Sequence, residues 1–137
     1  MKKKKIIIII VIILIFSFPI YQLFIFAKTG GNLILYISNQ SEVDTVGIEL
    51  FLNNEKEIDD YYTNYQFHNY KRYVFKTTPG NQAIAIKTKV GNTKLFFDVN
   101  TWLIKWVAID YSEIINKKGE KEYFFVVRQN LKPFLIN

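Results

Sequence analysis

The chain has 137 residues, half of them apolar and 17% aromatic, enough for one folded domain and too apolar for a disordered one. It contains no cysteine, which excludes disulfides, thiolate catalysis, cysteine-based zinc sites and lipidation at an N-terminal Cys. The net charge of +6 is unevenly placed: Lys2, Lys3, Lys4, Lys5 and Lys28 precede Gly30, whereas every acidic residue follows it. The remainder is therefore near neutral and lacks the concentrated basic surface of a nucleic-acid binder.

The first element is an apolar run. Residues 6–16 are all strongly apolar, and the apolar character continues to Ala27 with Ser17, Pro19 and Gln22 as interruptions. As a helix, residues 6–27 span roughly 33 Å, about the thickness of a bilayer core. Lipid forces the backbone to satisfy its own hydrogen bonds, so this isoleucine-rich run forms a helix there despite its β-branched side chains. The four preceding lysines are a signal for a cytoplasmic N-terminus, with the remainder on the far side. The alternative is a cleaved signal peptide: Lys2–Lys5 would be its basic region, Ile6–Phe18 its apolar core and Ala27 its last residue, although Ile25 is not small. Either reading exports the domain. The expected organisation is a cytoplasmic and membrane segment over 1–28, a flexible break over 29–32 and a domain over 33–137.

After Thr29-Gly30-Gly31-Asn32 the period changes from helical to alternating. Leu33, Leu35 and Ile37 share one face, and Asn39-Gln40-Ser41 is a turn. Val46, Ile48, Leu50 and Leu52 form the clearest amphipathic strand, closed by a hairpin turn at Asn53-Asn54. Residues 55–60 read as a short edge strand and residues 61–66 as a loop. Residues 67–77 are strand-like, with Tyr70 out of phase with Tyr73 and Phe75, which suggests a bulge near Lys71. Thr78-Pro79-Gly80-Asn81 is a turn. Ile84 and Ile86 point inward on the next strand, Gly91-Asn92 is a hairpin, and Leu95, Phe97 and Val99 follow. Residues 103–111 place Val107, Ile109 and Tyr111 on the core face and Trp106 on the other. A charged turn at 116–121 leads to a last strand over 123–128. Seven or eight strands at intervals of about 10 residues predict an all-β, two-sheet antiparallel sandwich, with an up-and-down barrel as the alternative.

One stretch resembles a known group. Residues 35–41 (Leu-Tyr-Ile-Ser-Asn-Gln-Ser), residues 46–54 (Val-Gly-Ile-Glu-Leu-Phe-Leu-Asn-Asn), His68 with Tyr70, Tyr73 and Phe75, then Pro79-Gly80-Asn81 and Ile84-Ala85-Ile86 are similar to small exported bacterial β-sandwich proteins of PEGA or carboxypeptidase-regulatory-like type. Gln82 stands where such proteins often carry His. The resemblance covers residues 33–111, implies an exported Ig-like or PEGA-like sandwich and carries no catalytic residues.

Signals for chemistry are sparse. His68 is the single histidine, and no serine sits in a nucleophile elbow. Glu55, Glu57, Asp59 and Asp60 lack EF-hand spacing and read as a charged edge that discourages strand-to-strand aggregation. No phosphate loop is present, and no cofactor or metal site is expected. Asn39-Gln40-Ser41 matches a glycosylation sequon, a pattern short enough to arise by chance. Aromatics remain: Tyr61, Tyr62 and Tyr65 in the expected loop, with Trp102 as a weaker candidate, are placed to contact a protein or glycan partner.

The sequence thus points to a membrane-tethered, extracytoplasmic, non-catalytic binding or structural module, with the bilayer itself contacted by residues 6–27. The alternatives are an accessory subunit of an envelope complex that binds by strand addition, a secreted form of the same domain, and a small hydrolase using His68.

Overall fold

The computed structural model describes residues 2–64 and 70–130, without the side chains of Lys2–Lys5 and Leu14. One helix, α1 (Lys2–Thr29), precedes eight strands: β1 (Leu33–Asn39), β2 (Thr45–Leu52), β3 (Glu55–Thr63), β4 (Lys71–Phe75), β5 (Asn81–Thr88), β6 (Lys94–Asn100), β7 (Lys105–Ile115) and β8 (Lys121–Asn130). The strands form two four-stranded sheets, ordered β4-β1-β7-β8 and β3-β2-β5-β6. The sandwich read from the alternation is the observed fold. Among the described residues every pairing is antiparallel except β1 with β7, which run parallel in register from Leu33 opposite Lys105 to Asn39 opposite Tyr111. Both strands leave the same end of the sandwich, and the chain between them builds the second sheet and β4.

Alternation places the core between the sheets. Leu33, Leu35 and Ile37 of β1, Val46, Ile48, Leu50 and Leu52 of β2, Ile84 and Ile86 of β5, Val99 of β6 and Val107 and Ile109 of β7 are all buried there. Asn53 and Asn54 both take positive φ, 52° and 71°, the conformation of the two-residue hairpin turn expected from their side chains.

Three local expectations change. The residues expected as a loop from Tyr61 onward instead extend β3 to Thr63, pairing Tyr62 with Val46 and Tyr61 with Gly47. The bulge expected near Lys71 is absent from the continuous β1–β4 register. Tyr70 lies outside β4 and faces the outer side against Tyr36, so its spacing from Tyr73 needs no extra residue. A bulge occurs at Glu57 instead, because Leu50 opposes Ile58 while Phe51 opposes Lys56. Residues 65–69 and 131–137, with His68, Tyr65 and Pro133, lie outside the described residues.

The helix meets the sandwich at one end. It runs unbroken through Pro19, and its segment Ile6–Thr29 is apolar and long enough to cross a membrane. Its last two turns pack on the outer face of the first sheet: Ile25 and Phe26 contact a cluster of Ile34, Ile104 and Trp106. The carbonyl oxygen of the Gln22 side chain accepts the backbone N–H of Ile104 at 3.0 Å. The expected flexible break at 29–32 is a hydrogen-bonded turn. Gly30 takes φ +79° and donates its N–H to the Phe26 carbonyl, and Gly31 lies so close to β4 that a Cβ there would collide with the Phe75 carbonyl. Asn32 then ties β1 to both neighbouring connections: its Nδ2 donates to the carbonyls of Thr77 and Thr101 at 3.1 and 3.2 Å, and its Oδ1 accepts the Thr77 N–H at 2.8 Å.

Candidate functional site

A concave surface of the folded domain lies at the end remote from α1. Strand directions bring four segments there: the β1–β2 connection with Val43, the C-terminal half of β3 with Tyr61, the β5–β6 hairpin from Lys89 to Thr93, and the far parts of β7 and β8 with Tyr111 and Tyr123. They enclose a cleft of about 560 Å³.

Aromatic rings shape its walls. Tyr111 and Tyr123 stack with ring centroids 5.7 Å apart and planes 5° from parallel, and Tyr111 also contacts Phe125 at 5.4 Å. This arrangement follows from the β7–β8 register. Tyr111 opposes Phe125, so Tyr123 is the diagonal neighbour two residues along the same face. On the opposite wall Tyr61 is 58% exposed, with the Lys89 ammonium 4.0 Å from its ring centroid. At the rim Val90 is 89% exposed, beside the left-handed Gly91 that turns the hairpin.

Lys89 is fixed by charge as well as by the ring, because its ammonium pairs with Asp59. Asp59 also pairs with Lys56 at 2.9 Å, and Glu49 joins Lys56 and Lys87 at 3.3 and 2.9 Å. Hydrogen bonding from Lys89 first, then Lys56, lowers the Asp59 carboxyl from an ordinary 3.8 to about 2. The acidic edge of β3 is therefore one side of a charge lattice across the outer face of β2, β3 and β5. Its neighbour Asp60 is also taken up, accepting from Lys71 at 2.7 Å and from the Tyr73 hydroxyl at 3.0 Å.

No protein-family model, curated protein or solved structure matches the chain.

The aromatic residues singled out in the sequence separate. Tyr61 lines the cleft. Tyr62 does not: it is 2% exposed and belongs to the core, its hydroxyl 2.7 Å from that of Tyr73, and burial is the main cause of its raised pKa. It alternates inward with Ile58 on β3, so its neighbour Tyr61 must face outward. Tyr65 lies outside the described residues. Trp102 is exposed, but on the β6–β7 connection at the helix end, so it shares no surface with Tyr61. Trp106 lies on the face opposite the core as the alternation indicates. It is nevertheless buried, because the end of α1 covers it.

Sequence reasoning missed Lys89, Val90 and Tyr123 as cleft residues. The signal that could have found Tyr123 is the hairpin at 116–120, from which counting back places it diagonally across from Tyr111. The sequon asparagine has a structural occupation: Asn39 is buried and donates its amide to the carbonyls of Val43 and Tyr62. Among the described residues no three metal-ligating side chains of the His, Cys, Asp or Glu type gather.

Proposed function

We propose that the chain is a membrane-tethered, extracytoplasmic binding module that works by contact rather than catalysis. It offers the Tyr61–Lys89–Val90–Tyr111–Tyr123 cleft to a protein or glycan partner on the side away from the bilayer. The observation that carries this reading is the docking of the helix end on the sandwich: Gln22, Ile25 and Phe26 complete the packing around Ile34, Ile104 and Trp106. Cleavage after Ala27 would strip these residues from the fold and uncover an apolar face, which favours a retained anchor over a signal peptide. The lysines at residues 2–5 support a cytoplasmic N-terminus.

The cleft suits contact. Rigid aromatic rings give area at little conformational cost, and Lys89 is held in place before any partner arrives. Strand addition is the second reading. It is favoured by β8, a ten-residue edge strand whose pairing among the described residues is with β7 alone, with Phe124 and Val126 facing outward.

A photo-crosslinking side chain at Val90 in the full-length protein, activated in intact cells, tests the cleft. The module reading expects an adduct from position 90 that disappears when Tyr61→Ser is added, and no adduct from Glu57 on the outer edge. An adduct from a probe at Val126 with none from Val90 would move the contact to the β8 edge. Labelling at neither position would contradict both readings.

A further inference from the structure

We propose that the tip of the β6–β7 connection, Trp102 with Leu103, inserts into the lipid headgroup and acyl boundary beside α1, so that the domain is held to the bilayer at two points. This rests on the membrane-anchor reading above and adds a second contact to it.

The connection is a fixed stem with an apolar tip. Thr101 is buried on one side, its hydroxyl 3.0 Å from the Gly80 carbonyl and its own carbonyl accepting from Asn32 Nδ2. Ile104 is buried on the other, against the helix end. Asn100 Oδ1 accepts the Trp102 N–H at 3.1 Å and turns the chain outward between them. What protrudes is Trp102, 71% exposed, and Leu103, 37% exposed. Exposing both on a rigid stem is costly in water unless something apolar meets them.

The depth of the helix says what does. Gln22, whose side chain holds the Ile104 N–H, belongs to the apolar segment Ile6–Thr29. It lies roughly 24 Å along the helix from Ile6, against a bilayer core of about 30 Å, so a membrane that accommodates α1 places Gln22 near its outer boundary. The backbone hydrogen-bonded to Gln22 lies at the same level, and Trp102 and Leu103 immediately precede it. Tryptophan favours this interface because its ring is apolar and its indole N–H reaches the polar layer. The same placement gives the Gln22 side-chain oxygen a role: inside an apolar span it accepts from the domain's own backbone instead of facing lipid, while its Nε2 is buried without a partner among the described residues.

The test reconstitutes the full-length protein into phosphatidylcholine vesicles, either unmodified or brominated near the top of the acyl chains, and compares it with Trp102→Phe. Bromine quenches tryptophan on contact, and Trp106, buried under the helix, is a common background. After alkaline flotation the wild-type protein should lose about half its emission in brominated vesicles, and Trp102→Phe should lose much less. Flotation with equal fractional quenching in both proteins would overturn the insertion while leaving the anchor standing. Failure to float after alkaline wash would overturn the anchor, and the insertion with it.

Discussion

Asn32 offers the sharpest test of how the helix end is joined to the sandwich. Its amide is used on both sides: two donations to the carbonyls of Thr77 and Thr101, and two acceptances, from the Thr77 N–H and, at 3.2 Å, the Thr77 hydroxyl. Asn32→Ala deletes all four. The Thr77 hydroxyl retains Thr101 Oγ1 at 3.1 Å, but the Thr77 N–H loses its partner. Net hydrogen-bond losses with one unsatisfied, partly buried donor amount to about 2–4 kcal/mol. Asn32→Asp keeps the shape and the acceptor but aims a carboxylate oxygen at two carbonyl oxygens in a buried site. It should cost more than alanine at neutral pH, above about 4 kcal/mol.

The pH dependence follows from the same geometry. Repulsion raises the folded-state pKa of the introduced carboxyl above its unfolded value of about 4. The excess penalty is absent below that value and grows as pH rises towards the raised folded value. Urea unfolding of the full-length variants in detergent micelles, followed by tryptophan fluorescence, measures both quantities, and subtracting Asn32→Ala at each pH cancels the titrations the two share. An aspartate variant as stable as the alanine variant at pH 7, or a gap that does not change with pH, would refute the assigned orientation of the amide.

Other consequences are as direct. Leu50→Ala, at a fully buried core position, should cost about 2–5 kcal/mol, and Glu49→Ala, which removes two exposed-lysine ion pairs, below about 1 kcal/mol; equal shifts in urea midpoint would contradict the face assignment. Gly31→Ala must displace β4 or the turn, so it should destabilise the protein, whereas Gly119→Ala meets no atom and costs only the strain of its positive φ; a larger loss at Gly119 than at Gly31 would contradict the close approach. Asp59 has a lowered carboxyl pKa, so its contribution to stability is complete above pH 3.8 and is lost as pH falls towards about 2. Carboxyl NMR of the wild type should show that depressed titration and Lys89→Met should raise it; an unchanged Asp59 pKa in the variant would remove the Lys89–Asp59 pair from the cleft wall.

The parts of the fold legible in the sequence are those where one strand face is buried and the other wet. Val46 to Leu52 is the clearest because Gly47, Glu49 and Phe51 interrupt the core residues one for one. β3 hides its period for a physical reason. Its inward face carries Ile58, Asp60 and Tyr62, and Asp60 is tolerated there because the Tyr73 hydroxyl and Lys71 satisfy it. With Asp60 on that face the alternation does not continue visibly past residue 60, and the polar and aromatic residues from Tyr61 to Gln66 show no clear period, so Tyr62 reads as part of a loop. Trp106 was placed on the correct face, but its covering lies in another element: Ile25 and Phe26, whose apolarity reads as membrane segment. The cleft was half legible. Tyr61 stood out by composition, whereas the Tyr111–Tyr123 stack depends on strand register, which composition does not carry.

Because the chain has no cysteine, its placement can be read with single introduced thiols. Val90→Cys, at an 89% exposed position of the cleft rim, and Lys3→Cys, before the apolar run, are labelled in intact cells with a membrane-impermeant maleimide. A membrane-tethered, extracytoplasmic domain requires that, in membrane-bound protein resistant to alkaline wash, Val90→Cys reacts in intact cells and Lys3→Cys reacts only after lysis. Reaction at Val90→Cys only after lysis, or recovery of the full-length protein in the soluble fraction, would contradict it.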